Sequence, residues 1–267
     1  MLRAKEKEIE IRDTVLRYID TVKGDQVLVI ILGLSEGLRS VKGQAFTLGL
    51  YCRKLAKARR VLLFGRPDEM QDGYSTRDMA HDVVYALRSI GVDKADFLGI
   101  SQGGMIAQYI AIDTPDMINK LILAVTASRP SETLIDVVGG WIDMAERGDY
   151  ARLIEDSMAK TYTEKHINRY QLFMPVIKRI GKPKSFDRFI VQAHAVLNHD
   201  AYDELHRITC PTLIIGGDDD KVTGERALED MADRIPHATL VLYEGFGHGA
   251  YEECKEYNQD VQQFLTG

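Results

Sequence analysis

The sequence predicts an α/β fold, with a mostly parallel central sheet, helices on both faces and a helical cap inserted into it. Three observations predict it. Short apolar runs of strand length alternate with amphipathic stretches of helix length through the first half of the chain. The stretches between the strands 95–100 and 121–125 and their neighbours are helical, so they leave no room for hairpins and demand crossover connections, which make strands parallel. The alternation breaks between 128 and 207 and then resumes.

Residues 8–11 and 15–19 alternate apolar with polar, the pattern of a hairpin, and feed a continuous apolar run at 27–32 that suits a strand buried on both faces. Helical spacing over 44–56 runs into Lys57, Arg59 and Arg60, cations placed where a helix C-terminus favours them. A short buried strand follows at 61–64. Ser75 and Asp78 have the spacing of a capping box ahead of an amphipathic helix at 79–90, which Gly91 closes. A strand at 95–100, a helix at 105–112 and a strand at 121–125 complete the first half.

From 128 to 207 the segments 134–145, 150–158 and 186–197 follow one another as helices without a clear strand. With no linker on either side, this block reads as a cap on one domain, leaving 1–127 and 208–267 as the core. Strand–helix alternation resumes with 212–215, 224–234, 240–243 and a closing helix over 251–264.

At 45% hydrophobic and 28% charged, the 267-residue chain has the balance of an ordinary globular protein. A net charge of -6 gives no basic field to gather nucleic acid or an anionic membrane, so neither is expected as a partner. The longest apolar run, 27–34, is far short of the roughly 20 residues that cross a bilayer, and 1–13 lacks a signal-peptide core. A cytoplasmic location is expected, and a homodimer stays open. Cys52, Cys210 and Cys254 show no CxxC spacing and read as free structural thiols.

The chemistry centres on Gly99-Ile100-Ser101-Gln102-Gly103, a G-x-S-x-G match directly after a predicted strand and before a predicted helix. A sharp strand-to-helix turn strains the serine backbone, and larger side chains two positions away on either side would collide with neighbouring elements. A serine hydroxyl needs a base to take its proton and a third group to hold that base in the right tautomer. Of seven histidines, His248 alone follows a predicted final strand in a glycine-flanked loop, Gly245-Phe246-Gly247-His248-Gly249. His81 and His194 fall on helices, while His166, His199, His206 and His237 lie in the cap or outside a constrained loop. For the acid, the strand 212–215 ends in Gly216-Gly217-Asp218-Asp219-Asp220, at the C-terminal end where open parallel sheets place their sites. One of the three aspartates is the expected partner. No carboxylate directly follows the strand 121–125.

With the elbow, the aspartate loop and His248 in the order serine, acid, histidine, the chain resembles the alpha/beta-hydrolase superfamily of small capped esterases, lactonases and C–C bond hydrolases over nearly its whole length. That family's acid loop commonly reads Gly, acidic, any, Asp, any, aliphatic. The segment Gly217-Asp218-Asp219-Asp220-Lys221-Val222 fits with Asp220 in the catalytic place. The resemblance also implies an oxyanion hole formed by the backbone N–H groups of Leu34 and Gln102. Two departures stand out. Leu32-Gly33-Leu34 lacks the family's histidine before the glycine, and Gly65-Arg66-Pro67 replaces its Asp-x-x-Gly segment.

Within the cap, Trp141, Tyr150, Phe173, Met174, Phe186 and Phe189 offer apolar surface for a small ligand, with Trp141, Phe173, Met174 and Phe189 expected to line the pocket. The basic run Lys178, Arg179, Lys182, Lys184 and Arg188 is expected to be a solvated helix face, with attraction of an anionic substrate as the alternative. The expected activity is hydrolysis of a small carboxylic ester or lactone through an acyl-enzyme on Ser101, falling as an ordinary histidine protonates at about pH 6 to 7. C–C bond hydrolysis, acyl transfer with the same residues, and a low-turnover ligand receptor are the alternatives. No cofactor and no metal are expected. Three adjacent carboxylates in one short loop cannot converge on an ion, and Ser101 in place of a carboxylate argues against dehalogenation.

Overall fold

The computed structural model describes residues 4–178 and 181–267. Eight strands form one sheet: β1 (Lys5–Ile11), β2 (Thr14–Asp20), β3 (Val27–Ile31), β4 (Arg60–Pro67), β5 (Ala95–Ile100), β6 (Ile118–Ala124), β7 (Thr212–Gly217) and β8 (Ala238–Tyr243). Their spatial order is β1-β2-β4-β3-β5-β6-β7-β8. β1 and β2 form the expected hairpin, β2 pairs antiparallel with β4, and every later pairing is parallel.

The helices are α1 (Ala45–Tyr51), α2 (Thr76–Ser89), α3 (Gln102–Asp113), α4 (Glu132–Glu146), α5 (Tyr150–Thr161), α6 (Glu164–Tyr170), α7 (Met174–Ile177), α8 (Asp187–Leu197), α9 (Ala227–Ala232), α10 (Ala250–Glu253) and α11 (Tyr257–Thr266). Period-two geometry sends alternate residues of the central strands to opposite faces. Val29, Ile31, Leu62 and Phe64 meet α2, α3 and α9 on one face, while Leu28, Ile30, Val61 and Leu63 meet α1, α10 and α11 on the other. Each fully buried aliphatic or aromatic side chain contributes about 1.5–3 kcal/mol by leaving water.

Local chemistry sets the boundaries. The Ser75 hydroxyl accepts the Asp78 N–H, and the Asp78 carboxylate accepts the Ser75 N–H, so α2 starts on the predicted capping box. Three elements are shorter than the periodicity suggests. The 44–56 helix yields at Cys52 and continues as a 3-10 turn at Leu55–Lys57. α9 begins only at Ala227, after a left-handed Arg226. The closing helix is broken between Glu253 and Tyr257, where Cys254 turns extended.

Between β6 and β7 the described residues contain helices and no strand. α4, α5 and α8 enclose a third apolar cluster with Leu34 and Met105, so this insertion packs over the C-terminal ends of β3 and β5. No helix of the described residues is long and apolar enough to cross a membrane.

Two buried polar groups outside the site shape stability. Burial by itself would raise the Asp20 carboxyl, but hydrogen bonds from Arg60 and Lys7 and from the Val22 N–H outweigh it and hold it at about 2. His199, between α8 and β7, faces Thr76 Oγ1 at 2.9 Å and Gln108 Oε1 at 3.4 Å, and burial lowers its pKa to about 3. It is therefore a neutral structural histidine.

Candidate active site

Ser101 sits between β5 and α3 with φ 53° and ψ -122°, a conformation that L residues adopt only under constraint. The constraint is visible. Its N–H donates to the Ala124 carbonyl at 2.9 Å, and its own carbonyl accepts from Thr126 Oγ1 at 2.7 Å and from the Gly104 N–H at 2.8 Å. The turn is tight enough that a Cβ on Gly103 would lie 2.0 Å from the Ile31 carbonyl oxygen, and one on Gly99 would lie 2.4 Å from the Gly103 carbonyl oxygen. Only hydrogen fits at either position.

The loop after β8 carries His248 back to this serine. His248 Nδ1 lies 2.8 Å from Asp220 Oδ2, and Nε2 lies 3.0 Å from Ser101 Oγ. With a carboxylate at Nδ1, the proton belongs on that nitrogen, and Nε2 accepts from the serine hydroxyl. The Asp220 and His248 side chains are only 5% and 9% exposed, so the pair is screened from water. Burial would raise the Asp220 carboxyl, but the charge and hydrogen bond of His248, with the N–H groups of Thr223 and Val222, hold it below the ordinary carboxylate range.

Of the three aspartates, only Asp220 turns inward. Asp218 accepts the Gly245 N–H, and Asp219 pairs at the surface with Lys221. None of the other six histidines reaches Ser101. His81, His194, His206 and His237 are exposed, His166 stacks on Tyr162, and His199 is buried elsewhere. Among the described residues no cluster of three or more His, Cys, Asp or Glu is arranged to hold a metal ion.

Leu34 opens a 3-10 turn and Gln102 opens α3, so neither N–H has an acceptor within its own helix. The Leu34 loop lies against the serine, since a Cβ on Gly33 would be 3.1 Å from Ser101 Cβ. Leu34 and Ser101 both line a cavity of about 480 Å³, and Gln102 directly follows the serine. Its walls are mainly apolar, with Trp141, Leu153, Met158 and Phe189 from the insertion, and Arg39 and Glu252 add charge.

Two residues expected at the pocket are elsewhere. Phe173 is 61% exposed, and neither it nor Met174 lines the cavity, because the chain from α6 to α7 runs along the outside of the insertion. Trp141 and Phe189, on the inward faces of α4 and α8, do line it. The basic run is not one solvated face. Arg179 lies outside the described residues, Lys178 pairs with Glu155, Lys182 and Lys184 are exposed, and Arg188 turns inward onto a fully buried Glu36. Sequence reasoning does not find that charge cluster. Its one signal is a charged residue, Arg66, embedded at the end of an otherwise apolar strand.

A mostly parallel sheet with a strained serine at the end of β5 and an acid and a histidine after β7 and β8 defines the hydrolase-type α/β class. The alpha/beta hydrolase fold model matches residues 64–254. The chain belongs to that family, and hydrolase is the class of activity that the fold and its relatives support. It is 24% identical over 192 residues to the 3-oxoadipate enol-lactonase 2 of Acinetobacter baylyi, covering 72% of this chain and 71% of that protein. It is 26% identical over 266 residues to a 2-hydroxy-6-oxononadienedioate/2-hydroxy-6-oxononatrienedioate hydrolase of a Pseudomonas species, covering 92% and 90%. Among solved structures, MGS-M2, an alpha/beta hydrolase enzyme from a Medee basin deep-sea metagenome library, superposes with a TM-score of 0.84 at 21% identity over 98% of both chains.

Proposed function

We propose that the protein is a serine hydrolase of small carboxylic esters or lactones, with Ser101 as nucleophile, His248 as general base and Asp220 as the group that orients the imidazole. The observation that carries this reading is the unbroken line from Asp220 Oδ2 through His248 to Ser101 Oγ, at 2.8 and 3.0 Å. In the first step Ser101 Oγ attacks the substrate carbonyl while His248 Nε2 takes its proton, and the carbonyl oxygen becomes an oxyanion held by the N–H groups of Leu34 and Gln102. The tetrahedral species collapses with the C–O bond to the leaving group breaking, and His248 returns the proton to that oxygen. Water then attacks the acyl-enzyme by the same route and releases the acid. For a lactone the leaving alcohol stays tethered to the acyl group.

The helical insertion acts in this scheme as a cap. Its apolar wall suits a small hydrophobic acyl or alkyl group, and the enol-lactonase relative supports the lactone branch. The test compares hydrolysis of a short-acyl aryl ester and a matched lactone by the wild type and by Ser101→Ala, both confirmed folded. A loss of at least about 1000-fold in the variant is expected. Equal turnover by both proteins sinks the nucleophile assignment. Turnover of a matched diketone in preference to both substrates would replace ester hydrolysis by C–C bond cleavage.

A further inference from the structure

Arg66, near the end of β4, is 1% exposed and makes no ion pair of its own among the described residues. Its Nη2 donates to the Leu32 carbonyl and, at 3.3 Å, to Gln102 Oε1. Leu32 lies two residues before Leu34, and Gln102 carries the second N–H assigned to the oxyanion hole. One nitrogen therefore fastens both halves of the hole to the same strand.

Around it runs a closed circuit of buried polar groups. The Glu36 carboxylate, fully buried, accepts from Arg188 Nη2 at 2.6 Å, from Gln192 Nε2 at 3.1 Å and from the Arg66 N–H at 3.2 Å. Gln102 Nε2 donates to the Gln192 carbonyl at 2.8 Å. The circuit holds two guanidinium groups and one carboxylate, so one positive charge stays uncompensated. Arg66 Nε and Nη1 also have no partner among the described residues. For stability alone this arrangement is costly, since buried charges are commonly replaced by apolar residues of similar volume at no loss.

Both departures noted in the sequence meet here. A Cβ at Gly65 would lie 2.7 Å from Glu36 Oε1, so the acid of the loop occupies the space a side chain at position 65 would need. The loop without a histidine is held instead by a guanidinium from the neighbouring strand.

We propose that Arg66 is a positioning residue for the oxyanion hole: it sets the Leu34 and Gln102 N–H groups through Leu32 and the Gln102 side chain, and its uncompensated charge favours the negative charge that develops beside them. This rests on the serine-hydrolase reading of the site. Preorganised groups of this kind act on the transition state far more than on bound substrate.

The test uses Arg66→Met, Arg66→Lys and Gln102→Leu, with ester kinetics, thermal melts and the rate at which an alkyl fluorophosphonate labels Ser101. Labelling forms a serine Oγ–P bond, expels fluoride and passes the serine proton to His248. Arg66→Met is expected to lower kcat and the labelling rate by about 30- to 1000-fold with KM within about threefold, and Arg66→Lys to recover part of the loss. A folded Arg66→Met with unchanged kcat and labelling overturns the proposal, as does an equal loss explained wholly by KM. If Arg66→Met does not fold, Gln102→Leu decides. It keeps the charge and cuts the contact to α3, so a lower kcat at constant KM supports the proposal and wild-type rates overturn it. A wild type that is never labelled at Ser101 overturns the hydrolase reading, and this inference with it. Labelled wild type with unaffected variants overturns only the role of Arg66.

Discussion

One oxygen of Asp220 faces His248 Nδ1 at 2.8 Å, while the other accepts the N–H groups of Val222 and Thr223 at 2.8 and 3.0 Å. The carboxylate is thus fixed by its own loop as well as by the imidazole, and the loop contact and the proposed orienting role separate by variant. Asp220→Asn keeps an acceptor for the loop but can present an N–H to Nδ1 and favour the wrong tautomer. It should lower kcat by about 10⁴-fold with a stability loss near 1 kcal/mol. Steady-state rates and urea unfolding on the same preparation check this, and a rate loss below tenfold removes Asp220 from the proposed role.

Two glycine substitutions should act in opposite directions. At Gly103 a methyl group meets the Ile31 carbonyl at 2.0 Å, in backbone that cannot move aside, so Gly103→Ala should cost more than about 3 kcal/mol or prevent folding. Gly139, within α4, has nothing within 4 Å of the place a methyl group would take, and Gly139→Ala should stabilise by about 0.5–1 kcal/mol. Thermal melts of the pair give the answer.

Removing Arg188 leaves the Glu36 carboxylate buried without its main counter-charge. Arg188→Met should therefore cost about 3–5 kcal/mol, and adding Glu36→Gln should restore part of it. If the double variant is no more stable than the single one in chemical unfolding, the ion pair is not the source of the loss.

Acid sensitivity should begin with His199. Its folded pKa lies at about 3, below the ordinary histidine value, so between about pH 6.5 and 3 the unfolded chain binds a proton that the folded chain does not. Stability then falls as pH drops through that window, by about 2 kcal/mol between pH 7 and 5. His199→Gln should flatten this slope even if it lowers stability at pH 7. The Asp20 contribution is lost only later, as pH falls from the ordinary carboxylate range toward about 2. Equal slopes for wild type and variant in urea titrations at pH 7 and 5 would contradict the assignment.

The sheet was readable because its central strands are apolar on both faces, and a run such as 27–31 has few alternatives. The serine turn was readable for a different reason: Gly99 and Gly103 are required by backbone contacts that no other residue tolerates. Asp220 needed the loop pattern, because Asp218 and Asp219 have the same chemistry and differ only in direction. The pocket wall was harder. Trp141 and Phe173 look alike in sequence, and which one faces inward depends on how the 128–207 helices pack. The cluster of Arg66, Glu36 and Arg188 was not legible, since the three are far apart in the chain and neither the odd Arg66 nor the basic run holding Arg188 says what it meets. Their meaning exists only where β4, the loop after β3 and α8 meet.

The Gly249 N–H donates to the Thr161 carbonyl at 2.6 Å, and Glu253 accepts both the N–H and the hydroxyl of Thr163. The residue after His248 is thus tied to the end of α5, the same helix that lends Leu153 and Met158 to the cavity wall. On the proposed mechanism, substrate choice and proton transfer would share one scaffold. Any drift in α5 that admits a bulkier acyl chain would then also tug on the segment that carries the imidazole, so a change of substrate would require this helix and the 249–253 segment to change together.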